Sequence, residues 1–233
     1  MARPLDEALP YDKALEARNR RRIVKALAEL GGEASFSQIE RVSKVTGNTL
    51  VYNLEVLERR FCIIEKPVKG TYRLRFRTPL SYLFAPEGTY PTVYFGLLGR
   101  RDRRDVPETK VALDLLKEEK IIPQLVYVTT TLEALQEWKE LKLPYQWITV
   151  YEADIADIDS VKNRVRPQLE ILIKDHVVIL DCTSATKPAT IAYYELANQY
   201  LIPLIYIYEP IRSLKWLISR QNLLQRIGMH QMN

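Results

Sequence analysis

The sequence predicts an α/β chain in two parts, a small helix-rich unit closed by a β-hairpin and then a doubly wound parallel sheet. Three observations carry this. From residue 92 onward, strand-like apolar runs alternate with stretches of helical periodicity. Several of those runs, such as Val177-Val178-Ile179-Leu180 and Ile205-Tyr206-Ile207, are apolar on both faces, as a parallel sheet covered by helices requires. Before residue 78, helical patterns come first and extended segments last.

In the first part, Leu15, Ile23, Val24, Leu27 and Leu30 recur at helical spacing, and Gly31-Gly32 ends that helix. Ser35 caps a short second helix with Phe36, Ile39 and Val42 on one face. Thr46-Gly47-Asn48 forms a turn, and a third helix follows on the stripe Leu50, Leu54, Leu57. Phe61–Lys66 and Thr71–Arg77 read as strands joined by Pro67-Val68-Lys69-Gly70. Helix, helix, turn, helix, hairpin is the order of a winged helix-turn-helix, and this unit is expected to span residues 1–88 with its connector.

Residues 89–233 are expected to form the sheet domain. Its strands are Thr92–Leu98, Leu125–Thr129, Gln146–Val150, Val177–Leu180 and Leu201–Tyr208. Its helices are Pro107–Glu119, Leu132–Leu141, Ser160–Lys174, Pro188–Gln199 and a C-terminal Ile211–Ile227 carrying Leu214, Trp216, Leu217, Leu223 and Leu224. A 3-2-1-4-5 strand order puts the ligand crevice between the first and fourth strands.

Charge divides along the same line. Residues 1–78 hold 16 Lys+Arg against 10 Asp+Glu, and residues 79–233 hold 18 against 19, which together make the chain's net +5. A basic small unit is a candidate for contact with a polyanion. In a winged helix the helix after the turn enters the major groove. Opposite the Leu50/Leu54/Leu57 stripe stand Asn48, Thr49, Tyr52, Asn53, Arg59 and Arg60, and the hairpin adds Lys66 and Lys69. These side chains suit base edges and phosphates of double-stranded DNA. Glu55 and Glu58 oppose that role, and a protein-docking module is the alternative.

Other classes find less support. No run of about 18 apolar residues is present, so no membrane span is expected. Met1–Pro10, with Arg3, Asp6 and Glu7, does not read as a signal peptide. Cys62 and Cys182 fall in different parts and are expected to be free thiols in a reducing cytoplasm. His176 and His230 sit in no recognisable acid–base pair, and Asp154, Asp157 and Asp159 read as a solvated loop, so neither a metal nor a cofactor is expected. A dehydrogenase is disfavoured because Gly96-x-x-Gly99 is a poor substitute for Gly-x-Gly-x-x-Gly.

The candidate ligand site lies on two loops. Asp181-Cys-Thr-Ser-Ala-Thr-Lys187-Pro188 places the hydroxyls of Thr183, Ser184 and Thr186 and the ammonium of Lys187 at a helix start, with Pro188 in the first helical position. Gly96-Leu-Leu-Gly99-Arg100-Arg101-Asp102-Arg103-Arg104 supplies two glycines and four arginines after the first strand. Hydroxyls, amides and cations in this arrangement suit a phosphate-bearing ligand. The plain alternative is an ordinary strand–helix turn capped by Thr186, beside an exposed arginine run.

Asp181, Thr183, Thr186 and Lys187 also match the Asp/Asn-x-Thr-Gly-Gly-Thr-Lys signature. Residues 91–210 thereby resemble the CRISPR-associated Rossmann-fold family, the CARF domains, with Ser184 and Ala185 in place of the two glycines. Leu98-Gly99 is similar to the family's other ligand-contacting segment. The resemblance implies a homodimer that binds cyclic oligoadenylate, with cyclic tetra-adenylate as the ring to expect. With the winged helix, it implies a transcription regulator of type III CRISPR antiviral defence. The alternative it implies is a ring nuclease, in which the ribose 2′-OH attacks the adjacent phosphate without a metal and Lys187 is the catalytic cation.

Overall fold

The computed structural model describes residues 9–184 and 186–229, so the expectations placed on Arg3, Asp6, Glu7, Ala185 and His230 lie outside the described residues. The chain divides into two compact units. The first takes the residues up to Tyr90, then Ile173–Val177, and those from Arg220 onward; the second is Pro91–Leu172 with Val178–Ser219.

The first unit opens with α1 (Tyr11–Leu15) and α2 (Arg18–Glu29). The single helix expected here is broken because Ala17 is extended, with φ −77° and ψ 129°. Arg20 closes the break: its Nε donates to the Ala14 carbonyl at 2.5 Å and its Nη2 to the Lys13 carbonyl at 3.2 Å, giving the end of α1 two donors. β1 (Glu33–Ser35) leads into α3 (Phe36–Ser43). Ser35 and Gln38 form a reciprocal capping box there, with Ser35 N donating to Gln38 Oε1 at 2.8 Å and Gln38 N to Ser35 Oγ at 3.3 Å. α4 (Gly47–Glu55) runs into one π-helical turn, Val56–Arg60. β2 (Ile64–Glu65), β3 (Thr71–Leu74) and β1 make an antiparallel sheet in the order β1-β3-β2. Leu50, Leu54 and Leu57 are buried with Ile23, Leu27 and Ile39, so the helical stripes meet in one core. α5 (Leu80–Phe84) and α10 (Arg220–Arg226) pack on each other within the same unit.

The second unit is a six-stranded sheet. Its strands are β4 (Thr92–Leu98), β5 (Leu125–Thr131), β6 (Gln146–Val150), β7 (Val177–Asp181), β8 (Leu204–Tyr208) and β9 (Ser213–Ile218), in the order β6-β5-β4-β7-β8-β9. α6 (Glu108–Glu118), α7 (Leu132–Trp138), α8 (Ile158–Asp175) and α9 (Lys187–Tyr200) connect them. The first five strands follow the 3-2-1-4-5 order, and the direction of winding reverses between β4 and β7. All seven residues of β4 and all five of β7 are buried, as central strands require.

The C-terminal helix expected over Ile211–Ile227 is not formed as one element. Arg212 takes a left-handed conformation (φ 46°), which stops a helix, and Ser213–Ile218 pairs antiparallel with β8. Leu214, Trp216 and Leu217 therefore belong to a strand, and only Leu223 and Leu224 to a helix. Among the described residues, no helix is long and apolar enough to cross a membrane.

Candidate functional site

At the carboxyl ends of β4, β5 and β7 a cleft of about 330 Å³ opens within the second unit. Its walls are the segment after β4 (Gly99, Arg100, Asp102, Arg104), the start of α6 (Glu108), the end of β5 (Thr129, Thr131) and the segment after β7 (Thr183, Ser184, Thr186). Glu152 and Ile155 close the side nearest β6. Gly99 and Ser184 approach closely: a Cβ on Gly99 would stand 3.5 Å from the Ser184 carbonyl oxygen.

The segment after β4 is fixed at its root and tied by ion pairs beyond it. Thr130 Oγ1 donates to the Leu98 carbonyl and Trp138 Nε1 to the Gly99 carbonyl, both at 2.9 Å. Arg100 Nη2 reaches Glu152 Oε1 at 2.8 Å. Arg101 does not line the cleft: its guanidinium lies 5.5 Å from the Trp138 ring centroid, and its Nε donates to the Arg104 carbonyl at 3.0 Å. Asp102 and Arg103 take positive φ (40° and 65°), turning the chain back so that Arg104 faces inward. Arg104 stands 3.3 Å from Glu108 Oε1 and 3.8 Å from Glu209 Oε2.

The segment after β7 is held from below. Asp181 is buried and accepts from Tyr94 Oη at 2.5 Å, from Thr183 N at 2.8 Å and from Thr183 Oγ1. Thr183 Oγ1 in turn accepts from Ile207 N at 2.8 Å. Burial pushes the Asp181 carboxyl up while the Thr183 and Tyr94 hydrogen bonds oppose it. Tyr94 is driven well above the usual tyrosine range, by burial first and by the Asp181 charge second. Asp181 thus lies beneath the cleft as a support and is not among its lining residues. Thr186 is the N-cap of α9, accepting from Ala189 N at 3.3 Å and donating to the Ile155 carbonyl at 2.8 Å.

Lys187 is the first residue of α9, exposed and outside the cleft lining, and Pro188 is second in the helix rather than first. The carboxylate loop after β6 is accounted for by helix capping: Asp157 Oδ1 accepts from Ser160 N at 2.7 Å. Among the described residues, no group of three or more His, Cys, Asp or Glu is placed to hold a metal. Cys182 is buried and Cys62 half-buried, both as thiols.

Glu108, Thr129 and Thr131 line the cleft beyond the residues the sequence points to. The run Thr129-Thr130-Thr131 at the end of an apolar strand was the available signal, because hydroxyls there face the crevice. Glu108 carries none, since Glu209, which stands across Arg104 from it, is distant in sequence. Burial pushes the Glu108 carboxyl up to about 7, with Arg104 opposing and the Glu209 and Asp181 charges adding.

In the first unit, Asn48, Thr49, Tyr52, Arg59 and Arg60 are exposed on or just after α4, as are Lys66 and Lys69 on the hairpin. Tyr52 is 64% exposed. Asn53, expected on that face, is buried instead, and its amide donates to the Thr49 carbonyl at 2.7 Å. Arg20 and Arg60 both lie over the Phe61 ring, at 5.3 and 5.2 Å.

No family model and no curated protein matches the sequence. Among solved structures, the chain is similar to Can2 from Sulfobacillus thermosulfidooxidans in complex with cyclic tetra-adenylate (16% identity, TM-score 0.40, 55% of this chain and 35% of that one). It is also similar to protein VC1899 from Vibrio cholerae (11%, TM-score 0.42, 56% and 34%). A third is Enterococcus italicus Csm6 bound to cyclic hexa-2′-fluoro-hexa-dAMP (13%, TM-score 0.42, 60% and 38%). The chain spans about a third of the length of these structures.

Proposed function

We propose that the second unit is a CARF-like sensor of cyclic oligoadenylate, with cyclic tetra-adenylate as the first ligand to test. The observation that carries this reading is the convergence of the segments after β4 and β7 on one cleft, at the point where strand order reverses. Arginine, backbone and hydroxyl groups meet there, a donor set suited to phosphodiester oxygens. The residues Asp181, Thr183, Thr186 and Lys187 add the resemblance to the CARF signature. The assignment of Gly99, Arg100, Thr183, Ser184 and Thr186 as ligand contacts is part of the proposal, with Asp181 as their support.

We further propose that the first unit is a winged helix-turn-helix that binds double-stranded DNA. Its support is the exposed face of Asn48, Thr49, Tyr52, Arg59 and Arg60 together with Lys66 and Lys69. The chain would act as a homodimeric, ligand-responsive transcription regulator in type III CRISPR defence. Regulation is preferred to ring cleavage because Lys187, the cation that cleavage would use, lies outside the cleft lining.

Titration calorimetry with cyclic tetra-adenylate tests the sensor, with linear tetra-adenylate as control. Saturable heat for the ring alone is the expected result, and no heat overturns it. Binding to duplex DNA across a salt series tests the regulator. Arg59→Ala with Tyr52→Ala is expected to weaken binding about tenfold and to lower the salt slope by about one. An unchanged slope would favour protein docking.

A further inference from the structure

Four arginines follow β4, and their surroundings differ. Arg100 is held at the rim by Glu152, Arg101 is turned onto Trp138, and Arg103 is exposed outside the lining. Arg104 lines the cleft as Arg100 does, but alone among the four it stands between two carboxylates, at 3.3 Å from Glu108 of the lining and 3.8 Å from Glu209 behind it. One guanidinium against two carboxylates leaves an excess negative charge where an anion would enter. The Glu108 side chain is only 8% exposed, so water screens that charge poorly. Ser184 Oγ is buried on the same cleft with no hydrogen-bond partner among the described residues, a group that awaits one from a ligand.

We propose that Arg104 is the cation that meets the ligand's phosphate, and that Glu108 holds it until a proton arrives, so that anion capture takes up a proton. This rests on the reading of the cleft as a phosphate-ligand site. The groups facing Glu108 are Arg104 from the segment after β4, Glu209 after β8 and Asp181 at the end of β7. Two of these three carry negative charge, and Glu209 stands across the Arg104 guanidinium from Glu108. When Glu108 is protonated, the two carboxyls share that proton and no longer need the guanidinium, which turns to the phosphate. When it is ionised, the incoming phosphate faces two carboxylates competing for one arginine. Glu108 titrates close to neutral pH, so the exchange falls in the accessible range.

The test is calorimetry of the full chain with cyclic tetra-adenylate, in buffers of different ionisation enthalpy from about pH 6.5 to 8.5. Affinity is expected to fall roughly tenfold or more across that range, with net proton uptake near pH 7.5 approaching one per site. Glu108→Gln is expected to bind with no proton uptake and a flat pH profile. Arg104→Gln is expected to lose about tenfold at every pH, and Arg101→Gln less than about threefold. Glu209→Gln provides a second route to the same flattening should Glu108→Gln fold poorly. A flat profile in the unsubstituted protein, or proton uptake retained in Glu108→Gln, overturns the proposal while leaving the sensor reading intact. Absence of binding at every pH overturns both.

Discussion

The two segments that wall the cleft are built on opposite principles. The one after β4 is held mainly by charge, through Arg100–Glu152, Arg101–Glu140 and Arg104–Glu108, and most of these side chains are a third or more exposed. The one after β7 is held by short hydrogen bonds around a buried carboxylate, Asp181, which accepts from Tyr94 and Thr183, while Ile207 N donates to Thr183. Exposed ion pairs contribute about 0–1 kcal/mol each and weaken with salt. A buried carboxylate network costs several kcal/mol to disturb, because its partners lose a buried acceptor. Substitutions after β4 should therefore change affinity, and substitutions beneath the segment after β7 should change stability.

Asp181→Ala should produce the largest effect, a loss of about 3 kcal/mol or more in urea denaturation, since Tyr94 Oη and two Thr183 donors lose their acceptor. A loss below about 1 kcal/mol would erase the contrast between the segments. Glu108→Gln should come next, stabilising the free protein by about 2 kcal/mol at pH 8 and hardly at pH 5. The sign follows from a folded pKa of about 7 lying above the ordinary 4.5: the native state binds more protons, so stability falls as pH rises through that window. Equal melting shifts at both pH values would contradict it. Arg101→Gln should cost less than about 1 kcal/mol of stability, and 1 M salt should remove most of even that difference. Ser184→Ala should be smallest, within about 0.5 kcal/mol of neutral in thermal melting, because its buried hydroxyl has no partner to lose. On the proposed reading of the cleft, the same substitution should weaken cyclic tetra-adenylate binding measurably.

Legibility in the sequence tracked how local the determining interaction was. β4 and β6 read with their observed bounds, because runs rich in aromatic and β-branched residues need no distant partner to be recognised. The Ser35 cap and the Leu50/Leu54/Leu57 stripe were equally local. The strand at Ser213–Ile218 was misread as helix, although Leu214, Trp216 and Ile218 alternate with period two, because it forms against β8 and needs the break at Arg212. Asn53 looked polar and exposed, yet its amide is satisfied by the Thr49 carbonyl one turn back, which lets it be buried. Lys187 reads as a cleft residue on its neighbours' account, whereas Thr186 takes the capping role and the lysine begins the helix outside the lining. Arg104 and Glu108 matter as a pair only because the end of β8 delivers Glu209 to them.

The first unit is assembled from three separated stretches of chain, and this bears on how it can be handled. Arg77 N donates to the Ile173 carbonyl at 2.9 Å, Thr78 Oγ1 to the His176 carbonyl at 2.9 Å, and Arg220 Nη2 to the Leu83 carbonyl at 2.5 Å. A gene fragment cut after Tyr90 would strip away those three partners together with buried Leu223 and Ile227, so the excised piece should be recovered as insoluble or molten material. DNA-binding assays and crystallisation of the first unit call for the intact polypeptide, or for a circularly permuted one that brings residues 173–177 and 220–229 back into reach.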